Sequence, residues 1–543
     1  MLNTESIHNA NNPFNGNQNR AALENLSQPV CVLESQQGEL LLTNMDHHQL
    51  HNYNQDYVLK AWVSPLQPEK LGAETFLKLH GVRFPYIAGE MAGGIASEEM
   101  VIAMSRAGML AFFGSGGLAL SRVEKAIKTI QQSLNGAHNY GFNLLHNPFE
   151  NDAELELIKL YLRYGIRRIS ASAFTHLTLP LVYYRVKGIH RDSNGMVQCP
   201  NHIFAKLSRT EVAQQFMEPP PMKLLEKLVE EGYLTIQEAE ISQYIPMAED
   251  ITIEGDSGGH TDRRSTIPLL STVCELRDRI VRQQNYKRNI RVGAAGGIST
   301  PASVAAAFIA GADYVLTGSI NQSCVEADTS EAVKKMLCNL DVAGVDMAPA
   351  ADMFEMGVQV QVAKSGSLFP ARARKLYEIY RQYESLDDIP DDVRRQFEKQ
   401  LFRKSLTEAW EETRDYLRQH NPTQLKKAEA NPKHKMAMLF RWYLGMSSRW
   451  AKQGLSVRSV DFQVWCGPAM GSFNQWVKGS FLESYEQRHV ELIAMNLLYG
   501  AAYLIRTKML SIQGVALPPE LIQVKPRLSD RPHQLGGNHN VEY

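Results

Sequence analysis

The sequence predicts an eight-stranded parallel (β/α)8 barrel (a TIM barrel) with a small N-terminal β element and a C-terminal helical region. Three observations carry this reading. Between Pro85 and Leu340 short apolar runs alternate eight times with helix-length segments, the number and spacing of a β/α barrel. The runs are continuously apolar rather than alternating, as strands covered on both faces must be. The last two runs each end in glycine, which places bare backbone amides at one edge. A doubly wound open sheet is the competing arrangement, and the paired glycine turns favour the barrel.

Taken in order, residues 1–27 are polar and expected to be flexible. Pro29–Glu34 and Glu39–Thr43 predict a hairpin about Gly38 in a small element over 28–80, ending in a helix at Ala73–His80. The barrel is expected over 81–345. Its first strand, Pro85–Ala88, runs into Gly89–Gly94, and a helix follows at Ser97–Ala107. Met109–Phe113 ends in Gly114-Ser115-Gly116-Gly117 before a helix at Ser121–Leu134. Tyr140–Leu144 is third, with a helix at Asp152–Tyr164, and Gly165–Ser170 is fourth. His202–Lys206 is fifth, followed by an insertion at about 210–247 that contains Pro219-Pro220-Pro221. Asp250–Glu254 is sixth, with a helix at Thr266–Arg282.

Arg291–Ala294 is seventh and enters Gly296-Gly297. Thr300 then offers an N-cap oxygen, Pro301 suits the first helical position, and Gly311 ends the helix. Asp313–Leu316 is eighth, stopping at Gly318-Ser319, with a closing helix at Thr329–Leu340. Residues 346–515 read as helical: Phe369–Tyr383, Asp391–Leu417, Pro432–Gln453 and Phe481–Leu510 have helical periodicity. An aromatic and glycine-rich loop, Asp461–Asn474, separates the last two, and 516–543 is expected to be a mobile tail.

Composition narrows the functional classes. A chain of 543 residues exceeds one compact core. Its net charge of −1 argues against nucleic acid or a membrane surface as the main partner. No signal-peptide core is present, and the longest apolar run, Leu492–Ile505, is broken by Asn496 and too short to span a bilayer. The six cysteines lack CxxC or His-paired spacing, so neither a metal site nor a disulfide framework is indicated, and a reducing cytoplasm is the expected home.

Exposed amides at Gly296, Gly297, Gly318 and Ser319 suit a phosphate, since turns seven and eight form the usual phosphate site of such barrels. The alternative is an ordinary βαβ unit with tight turns. Gly255-Asp256-Ser257-Gly258-Gly259-His260 fits G-x-S-x-G, but no histidine follows until His420, so a hydrolase triad lacks its base. The better reading is a glycine loop, with Gly258 and Gly259, presenting His260 at the mouth as a proton or hydrogen-bond donor. Gly114–Ala119 matches a dinucleotide fingerprint without the later ribose-binding acid. It reads instead as a turn near a flat ligand, as does Gly89–Gly94, where Met91 can lie against a ring face. Asn143 and Lys206 end strands three and five and are site candidates by position, Lys206 equally as a salt-bridge partner. Tyr183, Tyr184 and Arg185 suit either an entrance or the core and rim.

Together, Pro85–Gly94 (with Met91, Ala92 and Gly93), Asn143, Gly258–His260, Ala295–Ile298 and Gly318-Ser319 resemble the nitronate monooxygenase and FMN-dependent enoyl reductase superfamily. The segments GDSGGHTDRR, FPARARKLYEIY and DFQVWCGPAMGSFNQW extend the resemblance to the PfaD-type enoyl reductase subunits of polyunsaturated-fatty-acid synthases, close relatives of trans-acting polyketide enoyl reductases. It covers about Pro29 to Leu510; Ser319 stands where many relatives carry threonine. The resemblance implies FMN as cofactor, NADPH as reductant and a 2-enoyl thioester on an acyl carrier protein as substrate, in a homodimer. His260 would be the proton donor or enolate stabiliser, and Lys206 and Asn143 would meet the flavin's polar edge. The helical region would supply a lid, a subunit interface or carrier docking, with Arg441, Arg449 and Lys452 facing an acidic carrier. Nitronate oxidation, or a carrier-docking scaffold without cofactor, are the competing functions.

Overall fold

Eight parallel strands close into a barrel in the computed structural model, which describes residues 16–45, 56–146 and 151–528. The barrel strands are Tyr86–Ala88, Leu110–Phe113, Gly141–Leu145, Arg168–Ser172, His202–Leu207, Asp250–Glu254, Arg291–Ala295 and Val315–Thr317. Each pairs with the next, and strand eight closes on strand one through Leu316 opposite Ile87. Leu110–Phe113 and Arg291–Ala295 are buried at every position, because helices cover the outside and side chains fill the inside.

The floor is plugged by the Glu74–His80 helix. Its Phe76 enters the barrel and stacks on Tyr314 at 4.6 Å between ring centres. His80 is fully buried: Nε2 lies 3.0 Å from Asp250 Oδ2, and Arg168 Nε donates to Nδ1 at 3.0 Å. Arg291 completes the group, binding both Asp250 oxygens at 2.6 and 2.8 Å. A buried ion pair of this kind survives because its hydrogen bonds are satisfied.

Several elements differ from expectation. Residues 16–24, expected to be loose, form a helix, because Ala22, Leu23 and Leu26 pack in the N-terminal core cluster together with Tyr503 and Leu510 of the last long helix. A third strand, Tyr57–Val63, joins the predicted hairpin. Beyond the barrel, Val345–Pro349 and Gln359–Ala363 form a small antiparallel sheet with Gly259–His260. The alternation Gln359-Val360-Gln361-Val362 is its strand signal, overlooked among helices. The segment expected as one helix over Asp391–Leu417 is broken by a π-helical turn at Glu398–Phe402, with Arg403 in the left-handed region. The last helix starts at Val490 and not Phe481, and the Asp461–Asn474 loop already turns helical at Ala469. Of the expected tail, Pro519–Ile522 is a short helix held by Tyr503, whose hydroxyl donates to Leu521 O. The expectations for residues 1–15 and 529–543 lie outside the described residues.

The first and last described helices meet. Arg20 Nη1 donates to Glu520 O at 2.9 Å, and Arg506 donates to Asn25 O at 2.9 Å and Gln28 O at 2.8 Å. Cys199, Cys274, Cys324, Cys338 and Cys466 are free thiols, and among the described residues no helix is long and apolar enough to cross a membrane.

The floor makes stability depend on pH. Burial pushes the His80 imidazole down to about 4, with Asp250 opposing the shift. An unfolded histidine takes a proton below about 6.5. Stability should therefore fall as pH drops from about 6.5 towards 4, by on the order of 1.4 kcal/mol per unit. Denaturant titrations at pH 7, 6 and 5 would read this slope, and His80→Gln, which keeps a donor and an acceptor, should flatten it.

Candidate active site

The site is built at the carboxyl ends of the strands, opposite the plugged floor. Turn one is pinned to turn two: Gly93 N donates to Gly116 O and Gly94 N to Gly114 O, both at 2.8 Å. Met91, Ala92 and Gly93 stay partly exposed there. The Gly114–Gly117 segment is thus a turn after strand two, not a dinucleotide fingerprint opening a helix.

Strands three to six bring a line of charge together. Ser172 Oγ donates to Glu90 Oε1 at 2.7 Å, and Lys206 Nζ meets the same oxygen at 3.0 Å and Glu254 Oε1 at 3.3 Å. Burial alone would lower the Lys206 pKa. The carboxylates of Glu254 and Glu90 outweigh it and hold the ammonium above its ordinary value. Lys206 therefore stands at its strand end as an ion-paired donor. Asn143 is buried, with Nδ2 donating to Ser170 O at 3.1 Å and Ser172 Oγ at 3.2 Å.

Across the mouth lie turns seven and eight. Gly296 has φ +78°, and a Cβ there would stand 2.6 Å from the Gly255 carbonyl carbon, so only glycine lets turns six and seven touch. Thr266 Oγ1 donates to Gly296 O at 2.7 Å, which brings the start of the Thr266–Gln284 helix beside the turn. Gly297 is exposed, and nothing lies within 4 Å of where a Cβ on Gly318 would point. Among the described residues no acceptor pairs with the Gly296, Gly297 or Gly318 amides. Unpaired amides around open space suit a phosphate. Ser319 is turned partly to other use, its Oγ accepting from Gly467 N at 3.0 Å.

Loop six is held by chain from far downstream. Gly259 and His260 pair with Gln361 and Val360, and Gln361 Nε2 donates to Asp256 Oδ1 at 2.8 Å and Ser257 O at 2.7 Å. A Cβ on Gly258 would fall 2.8 Å from Cys466 backbone, and one on Gly259 would strike the Trp465 ring. His260 meets Trp465 edge to face at 5.7 Å. Its Nε2 lies 3.3 Å from Asp352 Oδ1, a charge contact without hydrogen-bond alignment. Burial opposes ionisation of Asp352, but His260 holds its carboxyl below the usual value. The His260 side chain is 30% exposed and so reaches the mouth. Ser257 Oγ is buried without a partner, and His260 turns to Asp352, so the hydrolase reading gains nothing. Glu90 Oε2, Ser257 Oγ and His260 Nε2 gather three unpartnered buried polar atoms around one mouth, where folded proteins leave few.

Other candidates lie elsewhere. Tyr184 and Arg185 are fully buried within the outer helix Leu179–Val186, where Arg185 donates to Asn201 O at 2.7 Å, so they line no entrance. Arg441 pairs with Glu355 at 3.3 Å, and Lys452 pairs with Asp328 at 2.9 Å and donates to Gly93 O. Only Arg449 of those three is an exposed cation without an ion pair among the described residues. A grouping with metal-ligand chemistry, Glu326, His489 and Glu491, sits behind turn eight. There Glu326 pairs with His489 at 2.9 Å and accepts from Val490 N, capping the last helix.

Sequence reasoning passed over Glu90, Ser172, Glu254, Asp352 and Trp465. Glu90 is a lone acid within a glycine run and Glu254 the last residue of strand six, both readable signals. Asp352 has no local signal, because it joins the site only through the small sheet.

Known proteins share much of this chain. Residues 223–351 match the conserved region of glutamate synthase, and residues 383–462 match the inserted helical domain of [acyl-carrier-protein] S-malonyltransferase. The chain is 46% identical over 457 residues to the polyketide biosynthesis protein PksE of Bacillus subtilis (strain 168), covering 84% of this chain and 59% of that one. It is 42% identical over 455 residues to a polyunsaturated fatty acid synthase subunit of a Thraustochytrium species, covering 82% and 30%. The chain therefore spans less than two thirds of these curated relatives. The crystal structure of the enoyl reductase domain of MlnA, from the macrolactin cluster of Bacillus amyloliquefaciens, is similar at TM-score 0.78 and 41% identity, over 82% of this chain and all (100%) of that one.

Two glycine substitutions separate folding from binding. Gly296→Ala should destabilise the chain by about 2 kcal/mol or more, through a clash at positive φ. Gly318→Ala should stay within about 0.5 kcal/mol of the parent yet weaken retention of a phosphate-bearing cofactor. Denaturant midpoints and the cofactor-to-protein ratio after gel filtration would measure the two effects.

Proposed function

Since the chain belongs to the PfaD-type enoyl reductases of the nitronate monooxygenase-like superfamily, we propose that it reduces the 2,3-double bond of an enoyl thioester carried on an acyl carrier protein, using FMN and NADPH, in polyunsaturated fatty acid or polyketide synthesis. The observation that carries this reading is the match, across its whole length, to a domain described as an enoyl reductase. The match of residues 383–462 to a helical domain from an enzyme that acts on acyl carrier protein supports a carrier as partner. A cytoplasmic setting and a homodimer belong to the same proposal.

The residues at the mouth suit this chemistry. The amides of Gly296, Gly297 and Gly318 would take the FMN phosphate, with Ser319 beside them. Met91, Ala92 and Gly93 would lie along the ring, with Gly258 and Gly259 of loop six beside it; Lys206 would donate to its polar edge, and Asn143, whose Nδ2 hydrogens are both used, would accept there through Oδ1. Bound flavin supplies the hydride that reaches the β-carbon of the enoyl group. The α-carbon must gain a proton, and the thioester oxygen carries negative charge as it does so. His260 is placed for either task, with the Asp352 carboxylate 3.3 Å from its Nε2. The Trp465 ring packs edge to face against the imidazole.

The test is anaerobic reduction of the holoprotein with NADPH, followed by a chase with an enoyl thioester. Flavin bleaching by NADPH and recolouring by the thioester are expected. Bleaching by a nitronate and recolouring by oxygen, with no response to NADPH, would replace the reading with nitronate oxidation. His260→Ala should leave the NADPH half-reaction near the parent rate and slow the chase by about 10²–10⁴-fold. A chase at the parent rate would remove His260 from the chemistry.

A further inference from the structure

Loop six carries two arginines that the proposed chemistry does not use. Arg263 and Arg264 follow His260 by three and four residues and precede the Thr266–Gln284 helix, whose start touches turn seven. Both are exposed. Neither guanidinium meets a carboxylate, a carbonyl or an aromatic ring among the described residues. The adjacent Asp262 accepts from Ser208 Oγ at 2.6 Å and Arg209 Nε at 3.1 Å, and the Arg264 charge reaches it without forming an ion pair. Loop six thus carries, three and four residues after His260, two exposed positive charges without an ion-pair partner among the described residues, on a chain whose net charge is −1.

The backbone beneath them is fixed. Thr261 Oγ1 accepts from Arg263 N at 3.0 Å and donates to Gly255 O at 3.4 Å. Arg263 has φ +49°, a conformation that glycine or asparagine adopts at less cost than arginine. A long cation held on a strained, anchored turn is a side chain retained for what it reaches. Guanidinium groups with free donors bind phosphate oxygens in a fork that an ammonium cannot make.

We propose that Arg263 and Arg264 form a recognition site for a phosphate ester on an incoming substrate. This rests on the enoyl reductase reading, which brings two such groups to the mouth: the 2′-phosphate of NADPH and the phosphodiester of a carrier's phosphopantetheine arm. The amides of turns seven and eight are assigned to the flavin phosphate, so the arginines serve the reactants that come and go.

The test uses the holoprotein carrying Arg263→Asn with Arg264→Gln. Asparagine tolerates the left-handed turn and removes the charge; Arg263→Lys with Arg264→Lys is the charge-retaining control. If the nucleotide is the source, KM for NADPH should rise roughly tenfold or more, with KM for NADH unchanged. If the carrier arm is the source, the same rise should appear for a phosphopantetheinyl enoyl thioester and not for its N-acetylcysteamine analogue. Either pattern supports the site, provided the lysine control recovers part of the loss. Equal effects on phosphate-bearing and phosphate-free reactants, or no effect on any, would overturn it. Loss of bound FMN with riboflavin retained would also overturn it, by moving the arginines to the cofactor. Calorimetric titration with 2′,5′-ADP against 5′-AMP, and with phosphopantetheine against pantetheine, reads the site without turnover. If the parent protein reduces no enoyl thioester but discriminates within these pairs, the functional reading fails and the phosphate site stands.

Discussion

The contact on which the site depends is glycine against glycine. A Cβ on Gly467 would meet Gly258 N at 3.0 Å, and one on Gly258 would meet Cys466 at 2.8 Å, so the two backbones lie as close as sheet neighbours without side chains between them. Around this contact Ala363 N donates to Val464 O, Cys466 N to Gln361 O, and Gly467 N to Ser319 Oγ. Loop six, turn eight and a stretch two hundred residues downstream of loop six become one rigid patch. His260 stands on that patch, and its orientation is set by chain that a barrel alone would not contain. The region after the barrel packs against turn one and loop six through Lys452, Asp352, Gln361 and Trp465.

The two ends of the barrel treat polar groups in opposite ways. At the floor His80, Asp250, Arg168 and Arg291 satisfy one another with aligned hydrogen bonds, so burial there adds rigidity. At the mouth Lys206 is paired, but Glu90 Oε2, Ser257 Oγ and His260 Nε2 are left over. Polar groups without partners cost stability, and they persist where a ligand's own donors and acceptors complete them.

What could be read from the sequence was what is local. Strands such as Leu110–Phe113 and the glycine turns after strands seven and eight declare themselves in a few residues, and so does the Thr300-Pro301 helix start, seen here as a capping box with Ser303. The placement of Asn143 and Lys206 at strand ends, and of His260 on the loop after strand six, followed from barrel geometry. What stayed hidden depends on distant contacts. Nothing near Asp352 announces that it will face His260. The Gln359–Ala363 strand exists because Gly259 and Val345–Pro349 lie on either side of it. The first helix forms because the last one is there to bury Leu23. Arg441 and Lys452, expected to face a carrier, are ion-paired for the same reason: Glu355 and Asp328 come from other elements.

The meeting of Arg20 with Glu520, and of Arg506 with the turn at Asn25, brings the two described extremities to one spot on the outside of the barrel. A unit whose way in and way out coincide can hang from a longer polypeptide like a bead on a loop of thread. Neighbouring modules joined there would not have to spread apart to make room, and the mouth would stay free to face whatever is delivered to it. The relatives of which this chain spans 59% and 30% are longer polypeptides.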